Sequence, residues 1–298
     1  MLYPPPAAIA ARLAAFLHAG RASKAYCIGL NYAAHVSEMK NMMMGSTEAP
    51  GRGAPPPSRL PPRPTAATPT LFLKPASSYH WHGIDGPLRV PSNVEWHHEV
   101  EVGAILTPTS MVGDIEAPSP PPGGVGRAPS RPAPLAGAHI RKADALSHVL
   151  GYTLCLDMTA RDIQAAAKAG GKPWTAAKCG DGFLPLASET VPASDVEMDA
   201  SGRPALEVVC IVNGVERQRG GGQDWLWDLP SLVSYASSVC AVEENDLLLT
   251  GTPAGVGALV AGDRIEAVLR VTAGAGKGRE VRMAFDCVAG EPVGVIRD

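Results

Sequence analysis

The segment from Trp96 to Leu106 constrains the fold more than any other part of the chain. Apolar and other side chains alternate along it, so that Val100 shares one predicted face with Trp96 while Glu99 and Glu101 share the other. Such alternation is typical of a β-strand. Two carboxylates side by side on one face repel each other, and a solvated face is their ordinary explanation. The apolar flanks favour instead a buried or cleft-facing pair, which requires a cation.

Other short apolar segments predict a β-rich chain with few long helices. We expect an α+β fold, with neither alternating βαβ units nor a nucleotide-binding glycine fingerprint. Asn213–Gly214 predicts a tight hairpin turn, Thr159 is expected to cap one helix, and Pro230 to open another. The predicted strands cover 25–29, 71–74, 96–106, 149–157, 205–212, 215–219, 247–250, 264–271 and 281–288, and the second helix covers 229–239.

Two proline-rich segments interrupt this pattern. Residues 45–69 contain eight prolines and residues 117–135 contain seven, and neither segment has apolar periodicity. We interpret both as exposed inserts in a single domain spanning 22–290, although they also match ligands of proline-binding modules. An N-terminal extension, 1–21, precedes this domain, and a C-terminal tail, 291–298, follows it.

Charge and composition exclude several classes of protein. The net charge is −3, which gives no support for nucleic-acid binding, and no apolar run approaches the roughly 20 residues that span a bilayer. The six cysteines are scattered, so we expect reduced thiols rather than disulfides or a zinc site. Residues 1–37 lack Asp and Glu but contain Arg12 and Arg21. They resemble an organellar transit peptide, which would make the protein mitochondrial, or form an ordinary first helix of a cytoplasmic protein.

A third carboxylate, Asp157, closes an apolar strand at its predicted junction with a helix. Three carboxylates plus waters form an all-oxygen site that suits Mg²⁺ or Mn²⁺. His97 or His98 in place of one carboxylate would favour iron or zinc instead.

Two further features are candidates for binding or catalysis. His35 and Glu38 lie three residues apart, the spacing of neighbours on a helix, and suit either a water-activating pair or a surface ion pair. The glycine-rich segment 250–257 follows an apolar strand, and its backbone N–H groups suit an anion, although a simple turn explains it equally well. Arg161 and Lys178 are candidate anion contacts.

Taken together, these segments resemble the fumarylacetoacetate hydrolase family, and within it the branch of acylpyruvases and oxaloacetate-acting enzymes. The resemblance covers roughly residues 22–290 without the inserts. It rests on six motifs in order, at 29–35 (GLNYAAH), 71–75 (LFLKP), 98–101 (HEVE), 156–162 (LDMTARD), 173–178 (PWTAAK) and 249–257 (LTGTPAGVG).

The resemblance implies a mixed β-sandwich roll, a homodimer and a 2-oxo acid substrate. It implies one Mg²⁺ or Mn²⁺ held by Glu99, Glu101 and Asp157. It also implies that His35 and Glu38 activate water, that Lys178 stabilises an enolate-like intermediate, and that Arg161, Gln164 and Thr252 lie near the substrate.

The implied reaction is metal-dependent hydrolysis of the carbon–carbon bond of an acylpyruvate, with oxaloacetate decarboxylation at the same site. Alternatives are oxaloacetate tautomerisation, isomerisation or hydration of dienoates from aromatic breakdown, a non-haem iron protein, and a catalytically silent interaction protein. The chain departs from the branch at Leu30, usually Arg, and at Ala34, where many members have Asp. Both flank the expected His35–Glu38 pair, which puts the substrate preference in doubt more than the metal site.

Overall fold

The computed structural model describes residues 24–43, 68–109 and 136–295. The predicted N-terminal extension, the insert 117–135 and all but the last two residues of the insert 45–69 lie outside the described residues. So does the end of the C-terminal tail. The boundaries of these segments therefore stay predictions.

Within the described residues the secondary structure consists mainly of strands, many of them short. The four α-helices are α1 (Ala33–Met43), α2 (Arg161–Ala169), α3 (Thr175–Lys178) and α4 (Leu229–Val239). The sixteen strands are β1 (Lys24–Gly29), β2 (Thr70–Pro75), β3 (Tyr79–Trp81), β4 (Leu88–Pro91), β5 (Trp96–His98), β6 (Val100–Leu106), β7 (Val149–Leu156), β8 (Thr159–Ala160), β9 (Leu184–Leu186), β10 (Val191–Pro192), β11 (Leu206–Val212), β12 (Val215–Gly221), β13 (Leu247–Leu249), β14 (Gly257–Ala258), β15 (Arg264–Val271) and β16 (Glu280–Gly290). None of the helices in the described ranges is long and apolar enough to cross a bilayer.

The strands form three sheets with both parallel and antiparallel pairs. The large sheet has the order β2-β1-β13-β6-β7-β9-β3, with β10 also paired to β7. The second sheet has the order β12-β11-β15-β16-β4, and a small sheet joins β14, β5 and β8. The pairs β1–β13, β3–β9 and β4–β16 are parallel. This mixed, sheet-rich architecture confirms the predicted α+β fold of the β-sandwich roll type.

Both faces of the large sheet are covered, and this places the centre of the sheet in the interior. One face packs against the second sheet in the larger hydrophobic core, which includes Val102, Leu154 and Leu269. The opposite face carries a smaller core that includes Ile105 and Leu249. Every residue of β6 is buried, as expected for a central strand covered on both faces. A carboxylate in this strand is therefore removed from water.

The structure corrects two details of the predicted elements. The strand predicted over 96–106 is interrupted at Glu99, between β5 and β6. Thr159 does not cap α2, whose N-cap is Ala160 without a side-chain hydrogen bond. The Thr159 hydroxyl instead lies 3.1 Å from both Glu99 Oε1 and the Asp157 carbonyl oxygen.

Other details agree with the sequence pattern. Asn213 and Gly214 both have positive φ, 50° and 74°, which a two-residue hairpin turn of this kind requires. Asp228 caps α4 through the Ser231 N–H, with Pro230 in the first turn. All six cysteines are free thiols in the structure.

Candidate active site

Three buried carboxylates converge at the end of the β6–β7 pair. Glu99 lies between β5 and β6, Glu101 lies in β6, and Asp157 directly follows β7. One oxygen atom of each lies within 4.8 Å of the other two. The antiparallel pairing sets Val100 opposite Leu156, and the Asp157 N–H donates to the Glu99 carbonyl at 2.8 Å. Sheet pairing thus brings together the three carboxylates that the sequence analysis singled out.

Two cations neutralise one side of this triad. Lys178 Nζ lies 2.6 Å from Asp157 Oδ2 and 3.0 Å from Glu99 Oε2, and Arg161 Nη2 lies 2.6 Å from Glu99 Oε1. Burial disfavours the charged form of Glu99, but Lys178 and Arg161 outweigh it and hold the pKa of this carboxyl well below its usual range. Burial acts against the Lys178 ammonium too, yet Asp157 and Glu99 raise its pKa. Glu99 is therefore ionised.

Glu101 lacks such a partner. Within the described residues it forms no salt bridge, and its carboxylate accepts one hydrogen bond, from the Gly251 N–H at 2.6 Å. Burial and the negative charges of Asp157 and Glu99 raise the pKa of Glu101 well above its usual range. A buried carboxylate beside two others needs an added positive charge to stay ionised.

Lys74 lies on the other side of Asp157 but does not satisfy the hydrogen bonding of this carboxylate. Its ammonium, fully buried, donates to the carbonyl oxygens of Met158, Lys178 and Phe183. Nζ also lies 2.9 Å from Asp157 Oδ1, but its three N–H groups are already used by the carbonyls. Asp157 Oδ1 is therefore buried without a hydrogen-bond donor among the described residues.

These observations fit a divalent cation. The three groups are hard oxygen donors, one buried oxygen has no hydrogen-bond donor, and one carboxylate has no counter-charge. Neither neighbouring histidine joins the group. His98 Nδ1 pairs with Gln218 Oε1 at 2.9 Å, and His97 Nε2 pairs with Glu95 Oε1 at 2.7 Å. Within the described residues the donor set thus favours Mg²⁺ or Mn²⁺ over the iron or zinc alternatives.

The His35–Glu38 pair lies at the same cavity. Both residues lie on α1, and His35 Nδ1 is 2.9 Å from Glu38 Oε2. His35 is buried and lines the cavity together with the three carboxylates. A histidine whose Nδ1 is held by a carboxylate presents its other ring nitrogen as a base.

The glycine-rich segment 250–257 binds anions, but they are carboxylates of this chain. The Gly255 N–H donates to Glu38 Oε1 at 2.9 Å, and the Gly251 N–H donates to Glu101 Oε2. Gly255 has φ of 98°, and a Cβ there would lie 1.9 Å from the Arg217 carbonyl oxygen. One loop thus supports both the histidine–glutamate pair and the carboxylate triad.

The predicted substrate contacts line the cavity above the triad. Arg161 Nη1 donates to Gln164 Oε1 at 2.8 Å, and Thr252 lines the same cavity. Leu30 also lines the cavity, with 38% of its surface exposed and φ of 61°. Its apolar side chain places no charge at this wall.

The cavity itself is narrow but adjoins a larger cleft. Its volume is about 30 Å³, enough for an ion or a water molecule. The neighbouring cleft has a volume of about 700 Å³ and shares Phe72, Trp174 and Lys178 with it. A bound molecule larger than an ion therefore extends towards this cleft.

Gln218 is a buried residue that the sequence analysis missed. Its Oε1 accepts hydrogen bonds from His98 Nδ1 and from the Val100 N–H, while its Nε2 donates to Thr252 Oγ1 and to the Pro253 carbonyl. The amide therefore connects the strands that carry the glutamates with the glycine-rich loop. In sequence, Gln218 is one polar residue in a polar hairpin strand, so no local signal identifies it.

We expect Gln218→Met to lower the free energy of unfolding by about 2–4 kcal/mol, because four buried polar groups lose their partner. Urea denaturation measures the change. Gln223→Met, at an exposed position nearby, is the matched control and should stay within about 0.5 kcal/mol of wild type. Equal costs for both variants would contradict the assigned network.

The fold and the site together define the class of the protein. It has an enzyme fold of curled mixed sheets, and its candidate metal site consists of carboxylates alone. The chain belongs to the fumarylacetoacetate hydrolase family, since the family profile described as fumarylacetoacetate (FAA) hydrolase C-terminal matches residues 24–117 and 134–280.

Named relatives are similar over most of their length. The chain is 35% identical over 242 residues to a mitochondrial oxaloacetate tautomerase of Oryza sativa subsp. japonica, covering 80% of this chain and 83% of that protein. It is 33% identical over 274 residues to the mitochondrial oxaloacetate decarboxylase of Dictyostelium discoideum, covering 92% and 96%. Fumarylpyruvate hydrolase from Pseudomonas aeruginosa, solved in complex with Mn²⁺ and pyruvate, has 28% identity and a TM-score of 0.61, covering 89% of each chain.

Proposed function

We propose that the protein is a Mg²⁺-dependent hydrolase that cleaves the carbon–carbon bond of acylpyruvates, such as acetylpyruvate or a fumarylpyruvate-type substrate. The products are pyruvate and a carboxylic acid, and the same site decarboxylates oxaloacetate. The observation that supports this proposal most strongly is the buried triad of Glu99, Glu101 and Asp157. The triad shares one cavity with His35 of the His35–Glu38 pair. Mn²⁺ is the alternative ion, in keeping with the Mn²⁺ named for the Pseudomonas relative.

The residues of the chain have distinct roles in this reaction. A divalent cation, when bound by the triad, supplies Lewis-acid polarisation of the substrate's 2-oxo group. His35 removes a proton from water, and Glu38 holds the ring in the required orientation. The resulting hydroxide attacks the distal acyl carbonyl, the carbon–carbon bond breaks, and its electron pair passes to the pyruvate enolate. The Lys178 ammonium stabilises this negative charge, while Arg161, Gln164 and Thr252 position the substrate.

A second candidate, oxaloacetate tautomerase, is favoured by the names of the relatives at 33–35% identity. Oxaloacetate has its carboxylate and 2-oxo group arranged as in an acylpyruvate. Enol–keto exchange and decarboxylation both pass through an enolate, which Lys178 stabilises in the same way. Neither reaction needs attack by water.

We further propose a homodimer located in mitochondria. The location is supported by the names of the relatives and by the Arg-containing, acid-free sequence of residues 1–37. The dimer is an expectation from the family resemblance, and sedimentation of the purified full chain tests it.

Chelation tests the metal requirement directly. We expect pyruvate release from acetylpyruvate and loss of oxaloacetate to stop in EDTA and to return when Mg²⁺ is added in excess, because the triad is the proposed binding site of the Lewis-acid cation. Turnover that persists after exhaustive chelation would refute metal dependence. If neither substrate is consumed in Mg²⁺ or Mn²⁺, the proposed function fails.

A further inference from the structure

Lys168 is a cation of the cavity wall that forms no salt bridge with a carboxylate of the described residues. It follows Gln164 by four residues and Arg161 by seven on α2, so the three side chains share one face of the helix, and all three line the cavity. Its Nζ lies 4.9 Å from the centroid of the Trp174 ring. Among the described residues, the Lys168 ammonium contacts this ring and forms no salt bridge.

The surroundings of Lys168 favour an added anion. The side chain is half-buried, and burial together with the positive charges of Arg161 and Lys178 lowers its pKa. Leu30, also on the cavity wall, contributes no charge. Trp174 lines both the narrow cavity and the larger cleft, so the ammonium lies close to the junction between them.

The charge balance of the site matches a dianion. With the three carboxylates of the triad ionised, as metal binding requires, three acidic and three basic residues line the cavity. The acidic residues are Glu99, Glu101 and Asp157, and the basic residues are Arg161, Lys168 and Lys178. A divalent cation then leaves a net charge of +2. A substrate with one carboxylate neutralises half of it, and a substrate with two neutralises all of it.

We propose that Lys168 binds the distal carboxylate of a 2-oxo dicarboxylate and makes dicarboxylates the preferred substrate class of this site. The proposal rests on the proposed function, since it concerns the same site and the same 2-oxo group. The near carboxylate lies by the triad and Arg161, and the distal one reaches the ammonium on Trp174. Packing on the ring limits hydration of the ammonium, which strengthens a charge-assisted hydrogen bond.

Two reactive substrates test the assignment. We expect Lys168→Met to lower kcat/KM for fumarylpyruvate, a dicarboxylate whose distal carboxylate is kept in the product, about 10- to 100-fold, and that for acetylpyruvate, which ends in a methyl group, less than about threefold. Lys168→Arg keeps the charge and should retain most of the preference. Lys277→Met removes a positive charge from an exposed position that lines neither the cavity nor the cleft, and it should leave both values close to wild type.

A matched pair of unreactive ligands gives a readout independent of turnover. Calorimetry in saturating Mg²⁺ should show that wild type binds 2-oxoglutarate more tightly than 2-oxopentanoate, which has a methyl group in place of the distal carboxylate. Lys168→Met should abolish this difference. Because this assay measures binding alone, it tests Lys168 even if neither reactive substrate is consumed and the proposed function fails.

Three results would overturn the assignment. The first is equal losses for fumarylpyruvate and acetylpyruvate in Lys168→Met. The second is an effect of Lys277→Met as large as that of Lys168→Met, which would indicate a general effect of charge rather than a contact. The third is a wild-type protein without preference for 2-oxoglutarate over 2-oxopentanoate.

Discussion

Glu101→Gln is expected to lower kcat/KM for both acetylpyruvate and oxaloacetate by about 10³-fold or more, equivalent to about 4 kcal/mol of transition-state stabilisation. The substitution keeps the shape of the side chain but removes one of three charges from the proposed cation site. The amide can still accept the Gly251 N–H hydrogen bond. The loss should therefore come from the cation and not from misfolding.

The same substitution should raise the melting temperature of the protein in EDTA. Glu101 is buried beside Glu99 and Asp157 without a cation of its own, so the metal-free wild type must either protonate Glu101 or hold three repelling charges, and the amide avoids both costs. Wild type should gain stability when Mg²⁺ is added, by the linkage of binding to folding, and Glu101→Gln should gain much less.

Thermal denaturation with and without Mg²⁺ and steady-state kinetics measure both effects. Glu197→Gln, at an exposed position, is the control for loss of a negative charge and should behave like wild type. A Glu101→Gln protein with the Mg²⁺ response and activity of wild type would disprove the role of Glu101 at the metal site.

His35→Ala should separate the two reactions of the site. We expect acetylpyruvate cleavage to fall about 10²- to 10⁴-fold, the range for loss of a general base, because His35 is the only histidine among the described residues that line the cavity. Oxaloacetate decarboxylation should change less than about threefold, because it needs no water attack. Pyruvate release from each substrate, in saturating Mg²⁺, measures the difference within one preparation.

Glu38→Gln refines this test. The amide oxygen can still accept the Gly255 N–H, so the loop contact is kept while the charge that orients His35 is lost. We expect an intermediate loss in acetylpyruvate cleavage.

Equal losses in both reactions for His35→Ala would contradict the assigned base, and would favour a proton-shuttle role of the kind that tautomerisation needs.

The strands and the buried carboxylate triad were predictable because local patterns encode them. The alternation around Val100 follows from a strand with one face in the larger core and the Glu101 carboxylate on the other, and the apolar run before Asp157 follows from the neighbouring strand of the same sheet. The Asn213–Gly214 turn was equally visible, since both residues need positive φ. The i, i+3 spacing of His35 and Glu38 predicted their contact, which the structure places at 2.9 Å.

Features that depend on distant partners were not predictable. Nothing in the sequence near Lys74 or Gln218 indicates that residues of other elements satisfy the hydrogen bonds of their amino and amide groups. Thr159 is a residue type that often caps helices, but its hydroxyl contacts the nearby Glu99 carboxylate and the Asp157 carbonyl instead. The sequence analysis did not identify Lys168, because only the folded chain places it on Trp174 beside the cavity.

The loop that binds Glu38 and Glu101 through two backbone N–H groups connects the carboxylate triad with the histidine–glutamate pair. Any coupling free energy that this loop transmits from one to the other acts equally in the converse direction. The two parts of the candidate site are therefore held by the same five residues of backbone, Gly251 to Gly255.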